Sequence, residues 1–401
     1  MTLTKLGGVC NFVRGPFGGA LKKDCFVQSG FAVYEQQHAI YRQFSTIRYY
    51  IDKEKFEELK RFELRAGDLI MSCSGTMGKV AKVPKGIEKG IINQALLKLT
   101  PSENINLDFL TYWMESKSFQ DQLSGNTHGA AIKNIASVKI LKDLEIPLPP
   151  LPEQQKIAAI LDAADKLKQK DQQLIEKYNT LSQSLFLDMF GDPVNNPMGW
   201  DKAEFGGYID ILTDYHANGS YEVLKENVEL KNTEDYALMV RTTDLEHNNF
   251  TGDVIHISQH AYDYLAKSKV YGGEIIISKI GSAGKVFLMP YLNRPVSLGM
   301  NAFLLRFNEY LNNIFIYYLL TSAFGEIEIG KRIKGAVTKT IRKDALREIN
   351  IPVPPITLQN QFAERIQAIE SQKQQAQASL QKSEDLFNSL LQRAFKGELT
   401  N

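Results

Sequence analysis

A chain of 401 residues with 47 Lys and Arg against 46 Asp and Glu has room for two ordinary domains and something extra. Its formal net charge of +1 weighs against a stand-alone polyelectrolyte binder, because neutralising phosphates takes an excess of Lys and Arg. No apolar run approaches the roughly 18–20 residues of a membrane span, and Cys10, Cys25 and Cys73 form neither a CxxC pair nor a paired framework, so reduced thiols in a cytoplasm are expected.

The opening "MTLTKLGGVCNFVRG" lacks the basic-then-apolar pattern of a secretory signal. The short run "FAV", Phe31 to Val33, predicts a strand, and the polar residues Glu35, Gln36, Gln37 and His38 follow it. Next comes "LIMS", "GTMG", "KVAKV", which reads as strand, tight glycine turn and strand, with Thr76 and Lys79 at the tip. The Gly-Lys pair in this turn invites a phosphate-loop reading. That loop needs GxxxxGK followed by Ser or Thr, whereas Cys73 holds the first glycine position and Val80 the hydroxyl position. "GNTHGAAIKNIAS", from Gly125, carries Lys133 as its one cation. After "IPLPPL", the stretch Glu153 to Phe190 has no Pro and no Gly and is dominated by Gln, Lys, Ala and Leu, which predicts a long helix stopped at Gly191. Ile160, Ala164, Leu167, Leu174, Tyr178, Leu181 and Leu185 trace its apolar stripe, broken at Asp171.

The chain then repeats itself at an offset of 206 residues. "ALMV" followed by Arg241, Thr242, Thr243 and Asp244 stands where "FAV" and Glu35 to His38 stood. "GEIIISKIGSAGKVFLMP" repeats "GDLIMSCSGTMGKVAKVP", with Ser282 and Lys285 at the tip and Lys279 and Val286 at the positions that fail the phosphate-loop pattern. "NIFIYYLLTS" matches "LDFLTYWMES". "KRIKGAVTKTIRK", from Lys331, carries six basic residues and no acid, and its Lys339 matches Lys133. "IPVPPI" precedes a second predicted helix, Thr357 to Phe395, with a stripe of Phe362, Ile366, Ile369, Ala376, Leu380, Phe387 and Leu390 interrupted by Lys373 and Ser383.

Each helix would be about 55–60 Å long, and a lone stripe of this kind needs a partner, most simply the other copy as a two-stranded coiled coil. The expected fold is therefore α+β: two duplicated mixed α/β domains separated by two long antiparallel helices, with pseudo-twofold symmetry. The boundaries are 1–150, 151–191, 192–355 and 356–401. Such a calliper suits duplex DNA, which offers two half-sites at fixed separation. Base reading draws on Arg or Lys for guanine and Asn or Gln for adenine. The candidate DNA-contacting residues are Gln36, Gln37, His38, Thr76, Lys79 and Lys133 in the first half. In the second they are Arg241, Thr242, Thr243, Ser282, Lys285, Lys331, Arg332 and Lys339. The residues that differ between copies at 35–38 and 241–244 are the expected base readers, and the matched Lys133 and Lys339 the expected phosphate contacts. The cofactor and base-clamping motifs of a DNA methyltransferase are missing, since "NNPMGW" fails at Met198, and neither nuclease-type carboxylates nor metal-ligand spacings occur. No catalytic residue and no metal ligand is expected.

"IPLPPLPEQQKIAAIL", "SQSLFLDMFGDP" and their second copies "IPVPPITLQNQFAERI" and "NSLLQRAFKGEL" resemble the shared regions of specificity (S) subunits of type I restriction–modification systems. The layout of recognition domain, helix, recognition domain, helix is similar too, over essentially the whole chain. "VCNFVRGPFGGALKKDCFVQSGFAVYEQQHAIY" is similar to one recognition-domain type of that family. The second helix entry departs from the first, with Thr357 and Leu358 in place of Pro152 and Glu153. The resemblance implies a non-catalytic subunit that binds a bipartite double-stranded DNA target. Its partners would be two methyltransferase (M) subunits holding S-adenosylmethionine and restriction (R) subunits using ATP and magnesium, with no cofactor on this chain. A subunit serving a methyltransferase–nuclease fusion or another defence assembly is the alternative, and a self-sufficient DNA-modifying enzyme a further one.

Overall fold

The computed structural model describes residues 2–125 and 138–399. The chain forms two compact units, Met1–Gln173 with Gln377–Asn401, and Leu174–Ala376.

The first unit holds a four-stranded antiparallel sheet of β1 (Cys10–Arg14), β3 (Leu69–Ser72), β4 (Val80–Lys82) and β6 (Leu96–Pro101), in the order β1-β6-β3-β4. Its strands are rich in Leu, Ile, Met and Val because both faces are covered, and Leu69 to Ser72 are all buried. A second sheet of five strands carries β2 (Phe31–Tyr34) parallel to β5 (Gly90–Ile92), with Ala32 opposite Gly90 and Tyr34 opposite Ile92. The "FAV" strand lies here.

The second unit repeats the plan. Strands β7 (Ile209–Asp214), β9 (Ile275–Ser278), β10 (Val286–Leu288) and β12 (Ala302–Phe307) are ordered β7-β12-β9-β10. Strands β8 (Ala237–Val240) and β11 (Val296–Leu298) are parallel, with Leu238 opposite Val296 and Val240 opposite Leu298. In each unit a strand near its start closes against the strand before the long helix: Leu3 pairs with Pro147, and Lys202 with Pro352.

Two glutamines inside the proline-led stretches that open the long helices set the junction between each domain and its helix. Gln154 is buried at the start of a 40-residue helix, Leu151–Phe190. Its Oε1 accepts from Asn106 N–H (2.8 Å), and its amide donates to Pro149 O (2.8 Å) and Asn104 O (3.2 Å). Gln359 does the same at the start of a 41-residue helix, Ile356–Lys396, with Asn312 N–H (2.9 Å), Pro354 O (2.8 Å) and Tyr310 O (3.2 Å). A buried amide whose hydrogen-bonding groups are satisfied in the same way twice fixes where each domain meets its helix.

Within each unit the two long helices run antiparallel. In the first, Leu161 and Ala164 share one apolar cluster with Phe387, Leu391 and Ala394, and Asp171 reaches Ser379 and Ser383. In the second, Phe186 and Phe190 pack on Phe362 and Ile366. The buried face of the first helix differs from the stripe expected from sequence. Ala164, Tyr178 and Leu185 are on it, but Ile160, Leu167, Leu174 and Leu181 stay 37–50% exposed. Asp171 is not a break in the seam but a member of it. Only 8% exposed, its Oδ2 accepts from Ser383 Oγ (2.6 Å) and Ser379 Oγ (3.2 Å).

Candidate nucleic-acid interface

Each glycine turn is a strained connection that only its glycines allow. In the second unit Ser278 N–H donates to Lys285 O (2.9 Å) and Gly284 N–H to Ser278 O (2.8 Å). In the first, Ser72 N–H donates to Lys79 O and Gly78 N–H to Ser72 O (both 2.9 Å). Gly75, Gly78, Gly281 and Gly284 have φ of +61°, +74°, +81° and +86°, a region that L residues rarely adopt. A Cβ on Gly78 would lie 2.8 Å from Leu123 Cδ2, and one on Gly284 2.5 Å from Ile329 Cγ2. The twice-written sequence is thus a backbone requirement met twice. What it displays is polar: Thr76, Lys79, Ser282 and Lys285 are exposed. Lys79 has no ion pair among the described residues, and Lys285 lies 3.6 Å from Glu246.

A short helix stands beside each turn: α1 (Gln36–Tyr41) and α2 (Thr242–Glu246). Gln37 and Thr243 are exposed, Gln36 and Thr242 half-buried. The Gln36 amide is 3.7 Å from where a Cβ on Gly75 would sit, which puts it at the turn. Two candidates from this stretch are structural instead. His38 is fully buried; its Nδ1 accepts from Glu35 N–H (2.9 Å) and its Nε2–H donates to Thr46 O (3.1 Å), so both ring nitrogens are used. Arg241 grips buried Asp244 through Nε (3.1 Å) and a terminal nitrogen (2.6 Å), and donates to Asp253 O (2.6 Å). Asp244 Oδ2 in turn accepts Arg241 N–H (2.7 Å). The edge of the guanidinium that would fork onto a guanine is committed inside the protein. His38 and Arg241 are therefore corrected from base readers to helix caps.

The basic segment of the second unit lies against its glycine turn. Lys334 and Thr340 exchange backbone hydrogen bonds (2.9 and 2.8 Å), while Gly281 N–H donates to Lys339 O (3.2 Å) and Ile341 N–H to Lys279 O (3.1 Å). Arg332 is also corrected: it donates to the Glu328 carboxylate and carbonyl (both 2.8 Å) and to Glu348 O (3.0 Å). Lys331 remains exposed beside Glu328 (2.7 Å). Its hydrogen bond is the main reason the Glu328 carboxyl is held below its ordinary range. Lys339 is exposed with no ion pair among the described residues. So are Lys334 and Arg342, which were not singled out although they stand in the same basic string. Lys133 lies outside the described residues.

The base of this surface is held by charge. Asp214, 7% exposed at the end of β7, takes Lys279 (2.9 Å) on one oxygen and Lys343 (3.0 Å) on the other. Both ammonium groups sit over the Phe303 ring, at 5.5 and 5.7 Å. Burial alone would raise the Asp214 carboxyl, but the hydrogen bonds and charges of the two lysines outweigh it and hold the group below the ordinary aspartate value. Lys279 opens the glycine turn and Lys343 closes the basic segment, so one carboxylate ties the two together. The first unit inverts this chemistry, with Arg14 opposite Leu97 where Asp214 stands opposite Phe303.

Among the described residues no group of three or more His, Cys, Asp or Glu could hold a metal ion, and no helix is long and apolar enough to cross a membrane. One scaffold built twice, each copy presenting cations, hydroxyls or amides on a turn and a short helix, defines a duplicated DNA-recognition protein. Comparison with known proteins gives the family. The profile described as type I restriction modification DNA specificity domain matches residues 1–177 and 201–382, and the chain belongs to that family, the specificity subunits of type I restriction–modification systems. The MjaVIII specificity subunit of Methanocaldococcus jannaschii is 27% identical over 297 residues, covering 71% of this chain and 68% of the relative. The EcoBI specificity subunit of Escherichia coli is 22% identical over 347 residues, covering 78% and 70%. Among solved structures, the type I S subunit from M. genitalium shares the fold at a TM-score of 0.57 and 17% identity, covering 98% of this chain and 96% of that one. As a specificity subunit the chain is the recognition component of its system and not the catalytic one.

Proposed function

We propose that the chain reads a bipartite double-stranded DNA target in the cytoplasm, one half-site per unit, and directs two methyltransferase subunits and the restriction subunits to it. S-adenosylmethionine, ATP and magnesium belong to those partners in this reading, and this chain contributes the address. A solved structure concerned with complex assembly of a type I restriction–modification system shares this fold at a TM-score of 0.57, which supports the expectation of such partners.

One observation carries the reading. The two units share strand order, parallel register and glycine turn, yet offer different side chains at a matched exposed place, Gln37 against Thr243. An amide can address adenine, whereas a hydroxyl pairs with several base edges, so the two copies are suited to different sequences. The test is genome-wide adenine-methylation mapping with the double variant Gln36→Ala, Gln37→Ala and, separately, Thr242→Ala, Thr243→Ala. Each is expected to relax one half of the target and leave the other intact. If either relaxed both halves equally, the two units would not be independent readers.

A further inference from the structure

The basic segment of the second unit ends in an apolar tip. Between Lys334 and Thr340, paired by two backbone hydrogen bonds, the chain turns through Gly335 at φ +103°. A Cβ there would lie 2.1 Å from Thr338 O, so the turn closes only with glycine. At its apex Val337 is 98% exposed, the most exposed of the large apolar side chains among the described residues. Its flanks are the exposed cations Lys334 and Lys339, and from Lys331 to Arg342 the sequence has no carboxylate. The hairpin does not hang free, since the hydrogen bonds of Gly281 to Lys339 and Ile341 to Lys279 tie it to the glycine turn.

We propose that this hairpin enters the major groove and that Val337 packs on the 5-methyl group of a thymine, with Lys334 and Lys339 on the flanking phosphates. The inference rests on the DNA-reading function above and names one specificity-determining contact within it. Three physical points select the ligand. A fully hydrated apolar apex between two free cations fits an apolar spot inside a polyanion. In the major groove the spot of that kind is the thymine methyl, the group that apolar side chains contact there. Wedges that part stacked bases in the minor groove are longer, such as Phe, Leu, Ile or Met, and Val branches at Cβ and ends one bond later. At the matched offset the first half carries Ala131, which lies outside the described residues.

The test uses the chain assembled with its co-expressed partner subunits and duplexes bearing the target mapped by methylation. In the half-site relaxed by the Thr242 and Thr243 variant, each thymine is replaced in turn by deoxyuridine, which deletes the methyl alone. One replacement is expected to weaken wild-type binding about fourfold, the worth of roughly one buried methyl. Val337→Ala is expected to weaken binding similarly and then to be indifferent to that replacement. The hairpin's fold does not depend on a side chain wholly in solvent, and Val337→Thr, which keeps one methyl, should fall between. If every replacement cost wild type and Val337→Ala equally, or if Val337→Ala weakened target and scrambled duplexes alike, the thymine contact would be refuted. These outcomes leave DNA reading itself standing. That reading would fall only if the wild-type complex did not prefer target over scrambled duplex.

Discussion

Lys339 and Arg332 come from the same basic string, and the structure separates them. Lys339 projects from the hairpin without an ion pair among the described residues, so its ammonium is free to displace a counterion from a phosphate. Removing one such contact lowers the slope of log K against log salt by about 0.9. Between about 50 and 200 mM salt, a fourfold change, Lys339→Ala should then lose about 3.5-fold less affinity than wild type does. The loss at low salt should be the same for cognate and non-cognate duplexes. Arg332 is different, because its side chain is 21% exposed and donates to Glu328 and Glu348. Arg332→Ala should leave the salt slope unchanged and lower stability by about 1–3 kcal/mol through the hydrogen bonds it strips. Anisotropy titrations of the assembled complex across that salt range, with thermal melts of both variants, read the two effects side by side. Equal slope changes for the two variants, or a Lys339 effect confined to cognate DNA, would refute the division between free and committed cations.

Arg241→Ala should destabilise the second unit by about 1–3 kcal/mol in denaturant titrations, because buried Asp244 loses its main partner, while the target sequence found by methylation mapping stays the same. Asp214→Asn should cost stability at neutral pH, where the carboxylate holds Lys279 and Lys343. The native carboxyl titrates below its unfolded value, so this stabilisation is present above the unfolded pKa of about 3.9 and fades as pH falls through the native one. The gap between wild type and variant in urea titrations should therefore narrow below about pH 4, and a gap independent of pH would sink the ion-pair account. Ser383→Ala removes the shorter bond to Asp171 and should lower stability by about 1.5–3 kcal/mol, as for a hydrogen bond to a charged acceptor; a melt like that of wild type would show that the carboxylate is solvated in the seam.

The duplicated fold was legible because both copies keep the apolar strands and the glycines that set backbone geometry. The matched glycines at 75, 78, 281 and 284 all have positive φ. The long helices were legible from composition, but the face of the first was not. Sevenfold spacing fits two stripes on one helix equally well. Ile160, Leu167, Leu174 and Leu181 lie at such a spacing and are exposed, while the true seam includes Lys168, Asp171 and Ser182. Apolarity alone chooses the wrong stripe when a seam uses polar groups that bond across it, as Asp171 does with Ser379 and Ser383. At the site, the turn residues were found where expected. The commitments of His38, Arg241 and Arg332 are not legible in the sequence, which does not show what polar side chains are satisfied inside the protein.

The repeat sorts its residues by agreement, burial and commitment. Where the copies agree and are buried, as at Gln154 and Gln359, the residue builds the scaffold, and its hydrogen bonds match to within about 0.1 Å. Where they differ but are satisfied internally, two chemistries solve one local problem. His38 accepts Glu35 N–H at 2.9 Å and Asp244 accepts Arg241 N–H at 2.7 Å, each capping the same short helix after the same strand. Divergence without exposure is thus architecture in another form. A reader of bases must be divergent, exposed and uncommitted at once. Gln37 against Thr243 meets that condition on the short helices, whereas Thr76 and Ser282 are exposed on the glycine turns but present the same hydroxyl. Val337 is exposed and uncommitted at the tip of the basic hairpin, the matched sequence position of the first copy is an alanine, and the groove of a duplex is the partner whose chemistry matches an apolar apex between two lysines.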